Sequence, residues 1–380
     1  MDVIMHTQVY NGEKTLRRAI ESVLRQTYPD FLYYISDNSS TDATAAIIAE
    51  YASRDKRIIA IYNKSNEFYA YHNVVRNCCR MYPDGYWAML DDDDEYAPEF
   101  LEKMLAYIQK NDLNVAACGF TEFSEKTGSI VEYRQVSEDM IITGTGFCEH
   151  FHEYHVFMRN VCSKLFSLQL LSKCTFETVK NMPSYGGDTI FSIEAFGVAE
   201  RVGIISGSLH NVFYRQASIS RKWEHNRADS NYICDDFRRA FLMNKCGQIS
   251  RENEEYLQGV YAGSLVEVLL ILLNPTLEME FADKVQNLKS IMEHEKTRKL
   301  FREYSYDKGI IEKLRTPVTG WLLTQNECRN ADVVGEALDI FSVMYPQLDI
   351  ITDKNTLAQL ITGMPEMAMQ ILGEYNKLGL

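Results

Sequence analysis

An α/β fold, with a mostly parallel sheet flanked by helices and followed by an all-α C-terminal domain, is what this sequence predicts. Short β-rich runs alternate with helically spaced apolar residues through the first 120 positions, whereas beyond residue 229 only helical spacing recurs. Polar residues also follow several of the apolar runs directly, which marks strand ends that open onto a ligand.

Each element follows in order. The run Val3–Val9 reads as a strand, and Leu16, Ala19, Ile20, Val23 and Leu24 predict a helix over 14–26. A strand over 32–36, a helix over 42–53, a strand over 58–62, a helix over 71–81 and a strand over 86–90 continue the alternation. Pro98, whose ring suits a first helical turn, opens a helix to 111, before a strand over 115–120. From 229 onward apolar faces recur at Phe237, Phe241 and Leu242, at Leu265, Val268, Leu269 and Leu272, and at Leu338, Phe341 and Met344, with breaks at Asn274-Pro275 and Tyr345-Pro346. A chain of 380 residues exceeds what one core usually supports, so two domains are expected, 1–222 and 223–380. The apolar stretch 260–273 is short and contains Glu267, which predicts a buried core helix and not a membrane span.

Composition narrows the function. A formal net charge of −14 argues against a nucleic-acid partner and against general attraction to anionic lipid. Nine cysteines, an odd number without a Cys-x-x-Cys, suggest neither a zinc framework nor a disulfide scaffold, and so a reducing cytosol. The first strand starts within a few residues of Met1, leaving no room there for a signal peptide, so a cytoplasmic location is expected.

The acids Asp91, Asp92, Asp93 and Asp94 follow the apolar run Trp87, Ala88, Met89, Leu90. Continued strand alternation would point Asp91 and Asp93 one way and Asp92 and Asp94 the other, so that an Asp-x-Asp pair holds one hard cation with a diphosphate completing its shell. A solvated acidic turn is the other reading. No Gly-x-Gly-x-x-Gly follows the first strand, so a dinucleotide fold is not indicated. Tyr10 could stack on a base and Asp37 or Asn38 accept from an imide N–H; a packed loop tyrosine and an Asx turn explain the same residues. Cys148, His150, His152 and His155 look like a soft-metal cluster, but the spacing is one residue short of H-E-x-x-H, which favours a structural or acceptor-cleft role. Arg221, Lys222, Trp223 and Arg227 form either a basic, aromatic patch suited to membrane contact or a solvated linker.

The ordered set Tyr10-Asn11, Ser36 to Asp42, Arg76-Asn77, Gly85-Tyr86 leading into Leu90 and the four acids, Pro98, Ser163 to Phe166, Phe176, Gly186-Gly187-Asp188, Tyr214-Arg215 and Ser218-Ile219-Ser220 resembles glycosyltransferase family 2. That resemblance covers roughly the first 220 residues and implies the Rossmann-like GT-A fold. It implies a donor site of Val9, Tyr10, Asp37, Asn38, Arg76, Asp91 and Asp92, a Mn²⁺ or Mg²⁺ ion on Asp93, and Asp188 as catalytic base. His210, just before Tyr214-Arg215, either reaches the nucleotide and its metal or is a satisfied structural histidine. Lys164, Tyr214 and Arg215 either add positive charge near the phosphates or fix loops. Asn38 stands where relatives carry a second acid, and Gly187 where many carry an acid before the base.

The implied function is a metal-dependent inverting transferase that moves a sugar from a nucleotide sugar, UDP-linked by preference, to a glycan, lipid-linked or other acceptor. The lipid-linked case would place it at the inner face of a membrane, by peripheral contact, and homo-oligomerisation stays open. A catalytically silent nucleotide-sugar-binding or scaffold subunit of the same fold is the alternative. The intact set Asp91, Asp93 and Asp188 speaks against it, because a silent protein has no physical need for a metal pair and a base together.

Overall fold

The computed structural model describes residues 3–215, 222–303, 308–324, 331–346, 354–363 and 366–368. Strands β1 (Val3–Val9), β2 (Phe31–Asp37), β3 (Ile58–Tyr62) and β4 (Tyr86–Met89) alternate with helices α1 (Leu16–Leu24), α2 (Thr44–Arg54) and α3 (Tyr71–Met81). β1 is buried on both faces along almost its whole length, His6 and Thr7 included, as a strand covered by helices on either side must be. α1 buries Leu16, Ala19, Ile20 and Val23, a stripe at three- and four-residue spacing. Each large aliphatic side chain so buried contributes roughly 1.5–3 kcal/mol before entropy is counted.

The chain continues through β5 (Glu95–Tyr96), α4 (Phe100–Lys110), β6 (Val115–Ser124), β7 (Ile130–Arg134), β8 (Met140–Thr143), β9 (Lys164–Ser167) and β10 (Arg201–Tyr214). One ten-stranded sheet runs in the order β3-β2-β1-β4-β9-β6-β10-β5, with β7 paired to β6 and β8 to β10. Pairing is parallel from β3 to β4 and between β6 and β10. The short strand β9 runs antiparallel between β4 and β6, and β5, β7 and β8 are antiparallel too. The sheet is therefore parallel on one side and mixed on the other. β9 is only four residues long, too short for a periodic pattern to announce its direction.

Two compact units emerge, 1–218 with 237–248, and 219–236 with 249–380, where the sequence suggested a single break after 222. The helix Arg227–Cys246 is divided between them at Asp236 and Phe237. Phe241 and Leu242 are buried in the first unit, where Phe241 stacks on Phe151.

The second unit holds the helices Arg251–Leu272, Phe281–Glu293, Glu295–Glu303, Lys308–Thr324, Ala331–Met344 and Lys354–Gly363 around its own apolar core. Ser250 caps the first of these, accepting from the Asn253 N–H. By length and composition Arg251–Leu272 could cross a membrane. Its Tyr261, Leu265, Val268, Leu269 and Leu272 are instead buried as a stripe in the helical core. The expected breaks fall just past Leu272 and Met344.

Two expectations change. Cys148 and Cys246 form a disulfide across a sequence separation of 98, a pairing that no local spacing announces. The basic patch is not assembled among the described residues. Arg227 is buried, 3% exposed, and donates to the Lys222 carbonyl, while Trp223 packs on the helical core; Arg221 lies outside the described residues. So does the Ser218-Ile219-Ser220 match.

Candidate active site

Because β2, β1 and β4 are adjacent and parallel, the segments after them share one sheet edge. Val9 lies opposite Asp37 in the ladder, and the Leu90 N–H donates to the His6 carbonyl at 2.9 Å. The first two loops interlock. Asn11 N–H donates to Ser40 Oγ and Thr41 N–H to Asn11 Oδ1, at 2.9 and 2.8 Å, while Gly12 N–H donates to Thr44 Oγ1 at 2.9 Å. A Cβ on Gly12 would fall 2.5 Å from Val9 Cγ2 and 2.6 Å from Asp92 Oδ2, so only glycine fits between strand and acid run.

The donor-site candidates divide on this edge. Tyr10 is 44% exposed and presents its ring, whereas the Val9 side chain is buried in the core and against Gly12. Asp37 is buried and accepts from the Ser40 N–H at 3.0 Å, an Asx-type turn. Asn38 points inward: its amide donates to the Glu67 carbonyl at 2.9 Å and its Oδ1 accepts from Asn63 Nδ2 at 2.7 Å. The Asn38 amide is thus engaged in holding the 63–67 loop, and Asp37 Oδ1 in its own turn. Arg76 is tied to the Thr175 carbonyl and to Glu177, an arrangement that braces α3 instead of reaching the donor edge.

The acid run does not continue the strand. β4 ends at Met89, and a turn closes with the Asp94 N–H on the Asp91 carbonyl at 3.3 Å, so strand alternation does not apply. Each carboxylate takes its own environment. Asp92 accepts from Thr15 Oγ1 at 3.2 Å, and burial with the Asp93 charge pushes it up to about 7. Asp93 pairs with Arg215, whose Nε also lies 3.5 Å from Glu125, and Arg18 donates to the Asp93 carbonyl. Asp94 is enclosed, bonded to His210 and to the Phe213 N–H at 3.0 and 3.1 Å, and burial raises it well above the usual range. Asp91 is pushed up by the dense protein around it and then by repulsion from Asp94, Asp93 and Asp188. As a residue it remains exposed, so water screens both effects and its charge is the most available of the four.

Asp188 is the second residue of the helix Gly187–Val198, which Gly186 opens at φ +95°, a left-handed geometry that favours glycine. Its Oδ1 accepts from the Tyr71 hydroxyl at 2.8 Å. Burial raises its pKa, while the Tyr71 bond and Lys164 hold it down. Tyr69 donates to the Ser184 carbonyl at 2.9 Å and accepts from the Gly187 N–H at 3.1 Å. A Cβ on Gly187 would fall 2.5 Å from the Tyr69 ring, which explains the glycine there: the aromatic ring fills the space a side chain would need.

His210 is corrected from ligand to scaffold. It is buried, its Nδ1 is 2.6 Å from Ser163 Oγ and its Nε2 3.0 Å from Asp94, and burial lowers it to about 3. A neutral imidazole with both nitrogens occupied has none left for a metal. Lys164 is likewise internal, donating to both oxygens of Asn160 and to the Cys162 carbonyl, with burial lowering it to about 7. The cysteine and histidine cluster is dispersed: Cys148 is disulfide-bonded, His150 pairs with Glu153, and buried His155 accepts from Arg238 Nε. Sequence reasoning missed Thr15, Arg18, Tyr69 and Tyr71. The aromatic run Phe68-Tyr69-Ala70-Tyr71 was a usable signal; Arg18, on a helix of ordinary composition, offered none.

The strand order and the acid-rich edge define an α/β domain of the GT-A type. Residues 5–174 match the model of glycosyl transferase family 2. The chain is similar to glycosyltransferase GlyA of Streptococcus pneumoniae, 24% identical over 234 residues, 58% of this chain and 32% of that protein. It also resembles the Bacillus subtilis glycosyltransferase EpsE, 36% identical over 147 residues, 37% of this chain and 51% of the relative. The chain thus spans about a third to a half of the length of these relatives. Residues 1–349 of S. aureus TarS, solved with UDP-GlcNAc, share the fold with a TM-score of 0.54 at 16% identity, over 90% of this chain and 91% of that one.

Proposed function

We propose that the first unit is an inverting glycosyltransferase that passes a sugar from a nucleotide sugar, UDP-linked by preference, to a hydroxyl of a glycan or lipid-linked acceptor. The observation that carries this reading is the shared edge of β2, β1 and β4, which sets the exposed Tyr10 ring on the same edge as the acid run. The charge relation between Asp91 and Asp188 adds the candidate base to that neighbourhood. The family match and the relatives' names support the same activity.

The residues fit a divalent cation of modest protein coordination. Among the described residues no three metal-binding side chains converge, so the protein would offer only Asp91 and Asp93 and leave the remaining positions to diphosphate and water, a common arrangement for Mg²⁺. Repulsion from its neighbours leaves Asp91 with charge to offset, and Asp93 would exchange Arg215 for the ion. Mn²⁺ or Mg²⁺ held there would stabilise the departing diphosphate. Asp188 takes the proton of the acceptor hydroxyl, and a single displacement inverts the anomeric centre. Arg18 and Arg215 supply fixed positive charge beside the acids. We place the protein in the cytoplasm, beside a membrane where the acceptor is lipid-linked. The Cys148–Cys246 bond stands against that placement, since cytosolic reductants oppose such bonds.

Calorimetric titration with UDP and other nucleoside diphosphates, with and without Mn²⁺, tests the reading. Metal-dependent binding that prefers UDP and weakens by roughly tenfold or more in Asp93→Ala is expected; no binding of any nucleotide sinks it.

A further inference from the structure

We propose that Tyr71 is a positioning residue for this transfer, its hydroxyl holding one oxygen of Asp188 so that the other is left for the acceptor hydroxyl. The inference rests on Asp188 being the base.

The geometry is restrictive. Tyr71 opens α3 and is 1% exposed, with its hydroxyl 2.8 Å from Asp188 Oδ1. Its ring stacks on Trp87 and meets Phe191 and Tyr69 edge-on, with centroids at 6.5, 5.7 and 6.1 Å. Phe191 lies on the same helix as Asp188, so one element fixes both the wall of the tyrosine's pocket and the carboxylate it holds. Such packing leaves the hydroxyl little freedom to turn elsewhere.

The chemistry suits a fixed donor. Burial, and then the Asp188 charge, raise the Tyr71 phenol well above its usual range, so it stays protonated wherever a carboxylate base works. Other titratable groups near Asp188 are Lys164 at the start of β9, Cys162 two residues before it, and Asp91 in the acid turn. The Lys164 ammonium is turned to Asn160 and Cys162. A hydrogen bond to the ionised form favours it, so Tyr71 opposes the effect of burial on the base.

Tyr69 has a different task two residues earlier. It grips the Ser184 carbonyl and the Gly187 N–H, and so orders the loop that leads into the helix. The pair therefore provides its own control.

The test titrates aspartate ¹³Cγ resonances in the wild type, Tyr71→Phe and Tyr69→Phe, with the Asp188 signal assigned by its loss in Asp188→Asn. Alongside, the pH profile of UDP release from UDP-glucose and UDP-N-acetylglucosamine is measured. In Tyr71→Phe the Asp188 midpoint should move up by about 0.5–1 pH and the acid limb of kcat should follow, with KM for the donor little changed. Tyr69→Phe should leave that midpoint in place. An unmoved Asp188 titration in Tyr71→Phe overturns the proposal alone. Undiminished turnover in Asp188→Asn overturns the base reading and this inference with it.

Discussion

The two sides of the sheet carry different kinds of chemistry and were built in different ways. On the parallel side, β3-β2-β1-β4, Asp37 ends its strand and Tyr10 and the acid run follow theirs within a few positions, so consecutive βα units deliver them to one edge. On the mixed side, β9-β6-β10-β5, the groups that complete the site come from far along the chain: Arg215 reaches Asp93, and His210 and the Phe213 N–H anchor Asp94. The parallel side is a repeated local solution, and the mixed side is a set of long-range closures. Binding should therefore be sensitive to changes on the first, and turnover and stability to changes tied to the second.

Asp188→Asn should cost most. It should lower kcat by about 100–10,000-fold while leaving calorimetric UDP affinity close to wild type; equal losses in both would erase the distinction between binding and catalysis. Acidification should mimic it. A base with a raised pKa loses its proton-accepting form as pH falls through that value, so kcat should decline on the acid side at a pH above the usual carboxylate range.

Reduction of Cys148–Cys246 should lower stability by about 2–4 kcal/mol, since the bond closes a long loop of the unfolded chain. Denaturant melts with and without reductant measure this, and Cys148→Ser should abolish the difference. Gly187→Ala should cost about 1–3 kcal/mol, because the added methyl meets the Tyr69 ring. Combining it with Tyr69→Ala should recover part of that loss in a double-mutant cycle; strict additivity would remove the ring as the cause.

The smallest effect is expected on the parallel side. Asp93→Ala should weaken Mn²⁺-dependent UDP binding by roughly tenfold or more, about 1.4 kcal/mol, with kcat measured at saturating donor changed less than in Asp188→Asn. A larger fall in kcat than in affinity would shift Asp93 from binding to chemistry and break the comparison.

Local pattern determined the strands β1 to β4, the helices between them and the switch to helices after residue 229, because burial on one face or both imposes a period that the chain itself displays. The same periodicity, with the rule that ligands sit beyond parallel strand ends, located Tyr10 and the acid run at one edge. Tertiary structure alone decided which carboxylates remain available. Asp94 and His210 satisfy each other in the interior, Asn38 spends its amide on the 63–67 loop, and Asp91 stays exposed, although the four acids and the two polar candidates look alike as letters. It also decided the direction of β9, the Cys148–Cys246 bond and the hold of Tyr71 on Asp188, separated by 117 residues. Such pairings depend on which distant segments the folded chain brings within about 3 Å, and no periodicity along the chain encodes that distance.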